Sequence, residues 1–237
     1  MITSNEMNRI LRYLTRTGLP LDLQVEVRDH MVEQIETLME EEKIDFEDAF
    51  SNVLKNWEKD LKPTFSLFEL RMIPALQKKV TNEFALAVSK KTLFVFIPIL
   101  IVFISLVGNK NLFFYFSFSV QLFLVCIYIF HLIRYYSIFR KVSSIAANGT
   151  SYLQRVLKII NWLILPVSLL RLLRYNGGSE KFYDAFSDVV HFDFSTNSVY
   201  KVFIRLFIIF WGIAGIFYFL EFKKVVHFLQ RKINYKI

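Results

Sequence analysis

Glu180, Asp184, Asp188 and His191 recur at i, i+4, i+8 and i+11, so on a helix three carboxylates and an imidazole fall along one face. Oxygen and imidazole ligands in that combination suit a divalent cation, which makes this row the candidate metal site. The polar side of an amphipathic helix lying on a membrane gives the same pattern, since Ser179 can cap a segment whose Phe182, Phe186, Val189 and Val190 form an apolar side. Glu26, His30 and Glu33, with Asp29 beside them, also share a helix face; they could hold a metal, or could be a solvated acidic face with His30 packed at its edge. Glu33, Glu36 and Glu40 compose an acidic surface suited to a protein partner, supported from behind by Phe50 and Trp57. Gln121, Asn161 and Arg205 are polar side chains inside apolar runs, where they either hydrogen-bond between helices or line a polar path.

No other motif points to catalysis. The single Cys126 lies within an apolar run and forbids an intramolecular disulfide, a CxxC pair or a thiolate zinc cluster. Neither a Walker loop nor a GxGxxG is present, and HExxH and the serine-hydrolase elbow are missing as well. No Asp or Glu falls near the middle of a long apolar run, so the acid relay usual in proton-coupled transport is lacking. We therefore expect a protein that is not an enzyme and carries no cofactor.

The elements that must position these residues follow from charge and hydropathy. Residues 1–62 hold fourteen acidic and eight basic side chains, whereas residues 63–237 hold seven and twenty-one together with nearly all the apolar runs. The net charge of +8 therefore sums an acidic head and a basic body, and does not describe a nucleic-acid-binding surface. Cations clustered at the ends of apolar runs suit anionic lipid headgroups. With acids at positions 22, 26 and 29 and no early apolar stretch, no cleavable signal peptide is expected.

The head reads as three helices. Thr3 and Glu6 fit a capping box ahead of Met7, Ile10, Leu11 and Leu14. Gly18-Leu19-Pro20 ends that helix near Thr17. Pro20 or Asp22 opens a second, with Val27, Met31, Ile35 and Leu38 as its stripe and an end near Glu42. Asp45 caps a third whose Phe46, Ala49, Phe50, Val53, Leu54, Trp57 and Leu61 keep helical spacing until Lys62-Pro63. The order Leu11, Leu14, Gly18-Leu19-Pro20, Glu26, Asp29-His30, Glu33, Glu36 and Phe46-Glu47-Asp48-Ala49-Phe50 resembles the short helical HAAS-type domain at the N-terminus of bacterial multi-pass membrane proteins linked to signalling. The resemblance covers about residues 3–62 and implies a small cytoplasmic domain with a regulatory or partner-binding role, followed by several spans.

Residues 63–91 read as an amphipathic connector, with Leu76, Val80, Phe84 and Val88 repeating every fourth position, lysines at the flanks and a kink or division at Pro74. Beyond it, spans are expected at about 92–108, 112–134, 156–173 and 201–221, the third being short unless Lys158 and Arg171 snorkel. Basic segments at 78–91, 134–155 and 223–236 alternate with a nearly neutral hairpin around Lys110 and with 176–200, which has four acids and one lysine. That alternation places both termini in the cytoplasm and requires an even number of crossings.

The expected fold is all-α: a three-helix cytoplasmic bundle, the connector and a four-helix transmembrane region at 92–237. The expected function is that of a multi-pass inner-membrane protein of regulatory, sensory or scaffolding type. Its partners would be the bilayer, a cytoplasmic or membrane protein and other copies of itself, with no nucleic acid. The alternative is a transporter or channel subunit that assembles a polar path from Gln121, Asn161 and Arg205.

Overall fold

A computed structural model describes residues 2–67, 69–145, 151, 153, 157 and 175–233. The chain is mostly helical. It divides into two compact units, one of Met1–Ala85, Arg140–Gln154 and Val225–Ile237, the other of Leu86–Phe139 and Arg155–Lys224.

In the first unit, α1 (Ser4–Arg16), α2 (Leu21–Glu41) and α3 (Phe46–Leu61) follow the boundaries the caps dictate. The Thr3 N–H donates to the Glu6 carboxylate at 2.7 Å while the Glu6 N–H returns a bond to Thr3 Oγ1, completing the capping box. Gly18 turns the chain at φ +79°, a value glycine adopts without Cβ strain, and Asp45 accepts the Asp48 N–H at 2.9 Å to start α3. Ile10, Leu14, Leu19, Leu23, Val27, Met31, Ile35, Phe46, Ala49, Phe50, Val53 and Leu61 close into one buried core, and the heptad-like stripes read from the sequence are its faces. About 60 residues bury a modest fraction of their surface alone. Leu76 and Val80, from the helix that follows, extend this core.

The connector differs from the expected amphipathic helix. Pro63–Ser66 (β1) and Arg71–Pro74 (β2) pair antiparallel with Phe65 opposite Met72, and only at Ala75 does the helix begin. Pro74 therefore ends a strand and does not kink a helix. Both prolines sit at the outer end of the two-stranded ribbon, paired with each other, where a missing N–H does least harm. The Ala75 N–H donates to the Lys62 carbonyl at 3.0 Å and closes the hairpin's base.

The remaining helices are α4 (Ala75–Ser105), α5 (Lys110–Ile145), the shorter α6 (Tyr175–Val190) and α7 (Thr196–Ile233), of which the three long ones lie mainly in the second unit. Among the described residues, 75–105, 110–131 and 196–229 are long and apolar enough to cross a membrane. These are three of the four expected spans, with α4 continuing unbroken from the connector through Pro98. The expected third span, 156–173, lies outside the described residues. Phe94, Ile133 and Phe203 stand exposed along these helices, as side chains facing lipid would.

Asn109 caps α5 by accepting the Leu112 N–H at 3.1 Å, so the tight turn around Gly108 joins two long helices. Against that turn packs α6, whose Phe182 and Phe186 meet Phe103 and Phe113 with ring centroids 5.4 to 5.9 Å apart. The Tyr183 hydroxyl donates to the Val107 carbonyl at 2.8 Å, just beyond the end of α4. The amphipathic pattern of α6 is thus explained by an aromatic core, not by a membrane surface alone.

Candidate functional site

The acidic row on α6 does not assemble. Glu180 receives the Lys110 ammonium at 2.8 Å, Asp188 accepts the Ser198 hydroxyl at 2.8 Å, and His191 Nδ1 lies 2.8 Å from the Ser187 carbonyl, while Asp184 is exposed. The physical reason is the helical rise. At 1.5 Å per residue, positions 180 and 191 are separated by about 16 Å, beyond the reach of one ion whose ligands lie within about 2.6 Å. The row instead ties α6 to α5 at one end and to α7 at the other. Hydrogen bonding from Lys110, with its charge, holds the Glu180 carboxyl below its usual pKa. Glu26, His30 and Glu33 likewise form no metal-binding group, and none of three or more His, Cys, Asp or Glu side chains exists among the described residues.

On α2 the partner-facing acids have divided roles. Glu33 and Glu40 are exposed, and His30 Nδ1 is 3.9 Å from the Glu33 carboxylate. Glu36 is half-buried and accepts the Ile2 N–H at 3.1 Å, which fastens the chain's start to α2. Behind this face the Trp57 indole N–H donates to Gln34 Oε1 at 2.9 Å, and Phe50 stacks on Phe46 at 5.4 Å. Arg9 completes the support: its guanidinium pairs with Glu47 and lies 5.6 Å from the Phe46 ring centre.

Two ties in the same unit, one buried and one at the surface, were not legible from spacing. Asp22 is only 6% exposed and carries hydrogen bonds from Ser151 and the Leu23 N–H. Burial raises its pKa to about 7 despite those bonds, with Glu26 pushing the same way. Asp29 accepts from Arg28 at 2.6 Å and from Lys232 at 3.1 Å. Its burial would raise the pKa, but those cations outweigh it and hold the carboxyl below its usual range.

Of the three polar residues expected within spans, Gln121 and Arg205 are buried and Asn161 lies outside the described residues. Arg205 donates to Ser117 Oγ at 3.3 Å and lies 5.2 Å from the Phe182 ring centre. Ser117 and Gln121, four residues apart, share one face of α5. That spacing was the available signal for Ser117, which sequence reasoning missed. About two turns further on, the Tyr128 hydroxyl donates to the Gly212 carbonyl at 3.0 Å, and a Cβ on Gly212 would approach Leu124 Cδ1 to 3.1 Å. Gly212 thus marks a close contact between α5 and α7.

Comparison with known proteins gives no match to any family model, curated protein or solved structure.

Proposed function

We propose that the chain is a regulatory, sensory or scaffolding protein of the bacterial inner membrane, HAAS-like in its first quarter, which binds a cytoplasmic protein partner through its N-terminal helices. The observation that carries this reading is the pairing of a self-contained acidic helical core with helices long and apolar enough to cross a membrane. Glu33 and Glu40 stand on α2, a helix packed into that core, and not on a loop. Both termini lie in the cytoplasm in this reading, and other copies of the chain are further candidate partners.

The transport alternative draws less support. Ser117, Gln121 and Arg205 are buried, and Arg205 is engaged by Ser117 and an aromatic face, which is how polar side chains act as interhelical glue. The test of the leading reading is affinity purification from native membranes in mild detergent with Glu33→Lys, Glu36→Lys and Glu40→Lys combined. Loss of a copurifying cytoplasmic protein with normal membrane insertion is expected. An unchanged set of copurifying proteins would remove the assignment of this face.

A further inference from the structure

Among the described residues of the first unit, the large apolar side chains that stand open to solvent gather on the β1–β2 hairpin: Phe65 at 51%, Leu67 at 81%, Leu70 at 78% and Met72 at 58%. Phe65 and Met72 are cross-strand partners and so project from the same face of the ribbon, while Leu67 and Leu70 stand at the turn. The turn is built to hold them there. The Glu69 N–H donates to Ser66 Oγ at 3.3 Å, and the Glu69 carboxylate, its side chain 5% exposed, accepts Arg71 at 2.9 Å and Gln77 at 2.6 Å. Leu70 takes φ +51°, a conformation a branched side chain seldom adopts without a reason elsewhere. A mobile loop would relax into water-facing polar contacts; this one is braced to present apolar groups.

Three features identify what covers them. The hairpin's one acid is turned inward and paired with Arg71, and the bases Lys62, Lys78 and Lys79 flank the ribbon, so this corner of an otherwise acidic domain is basic and apolar. Strand β2 passes without a linker into α4, a helix that becomes a candidate span. The Glu69–Gln77 bond sets the turn beside the first turns of α4, and from Gln77 to Leu86, 60% exposed on α4, the helix rises only about 14 Å. Apolar tips on a ribbon flanked in sequence by cations and running directly into a candidate span fit the headgroup and acyl boundary of an anionic membrane.

We propose that the β1–β2 hairpin is a lipid-binding element that seats Phe65, Leu67, Leu70 and Met72 in the anionic cytoplasmic leaflet. The inference rests on the membrane placement of α4 proposed above, and not on the protein partner. The probe is a nitroxide on Leu67→Cys in the full-length Cys126→Ser protein, compared with one on Phe94→Cys, whose position on α4 is 84% exposed. Collision with oxygen and with a water-soluble nickel complex is measured in nanodiscs of neutral lipid and of neutral lipid with phosphatidylglycerol.

The expected result is oxygen-favoured collision at both positions in anionic nanodiscs, with nickel access at position 67 rising about fivefold when the anionic lipid is omitted. Lipid contact at 94 with free nickel access at 67 in both discs overturns the hairpin assignment alone. Nickel access at both positions overturns the membrane reading and the inference together. A label at 67 shielded from both reagents marks a protein occupant, and that too overturns the proposal.

Discussion

Asp22 is the residue where burial and ionisation conflict most. It sits in the first turn of α2, where a helix N-terminus favours a negative charge, yet burial lifts its pKa to about 7 against the bonds from Ser151 and Leu23. An unfolded chain releases this proton near pH 4, at about 3.9 for a free Asp, whereas the folded chain keeps it until about 7. Between those values the folded state binds more protons, so the carboxyl lowers the stability of the first unit progressively as pH rises, and the loss is complete above the folded pKa. The effect is on the order of 4 kcal/mol. Asp22→Asn keeps an acceptor for Ser151 and removes the titration. We expect it to raise resistance to urea at pH 8 and leave it nearly unchanged at pH 4, followed by amide exchange of α2 in the detergent-solubilised chain. An identical pH slope in both proteins would show that Asp22 does not hold the proton. Sequence spacing marked Asp22 only as a helix-opening acid, because its partner Ser151 comes from a distant segment that no local pattern connects to it. The same limit explains why Glu180, Asp184, Asp188 and His191 looked like one site. Periodicity reports a shared face but not that Lys110 and Ser198 reach that face from other helices.

At the scale of elements, helices announced themselves and the hairpin did not. Thr3, Gly18 and Asp45 carry cap chemistry that acts within four residues, so α1, α2 and α3 were legible almost to their ends. Four-residue strands bounded by prolines carry too little alternation to compete with the helical repeat of the segment that follows, whose fourfold spacing begins at Leu76. The packing of α5 on α7 is an element property that Gly212 controls. Because the obstruction at 3.1 Å is the flexible end of Leu124, a methyl group can be accommodated by a small shift, and alanine also favours the helix by about 1 kcal/mol over glycine. Gly212→Ala should therefore leave thermal stability in detergent unchanged or slightly raised. Gly212→Leu must push the helices apart and lose the Tyr128 bond to the Gly212 carbonyl, a loss of about 1 kcal/mol for the bond and more for the packing. Tyr128→Phe isolates the first part. If the leucine variant melts with the wild type, as followed by tryptophan fluorescence, the close contact is not holding these helices.

At the scale of the whole chain, three described helices are long and apolar enough to cross a membrane, and the proposed layout adds the crossing expected from hydropathy at 156–173, which lies outside the described residues. The proposed even number of crossings puts both termini on one side of the membrane, an arrangement with which the bond between Asp29 on α2 and Lys232 in the last turns of α7 is compatible. In the proposed layout that shared side is the cytoplasm, because basic residues flank α4 at its start and α7 at its end whereas the segment of α6 is acidic. With Cys126→Ser as background, Thr3→Cys and Asn234→Cys should both resist a membrane-impermeant maleimide in intact cells, and Asp193→Cys, in the acidic segment, should react. Labelling of one terminus but not the other would mean an odd number of crossings, and the Asp29–Lys232 contact would then have no membrane geometry in which to form.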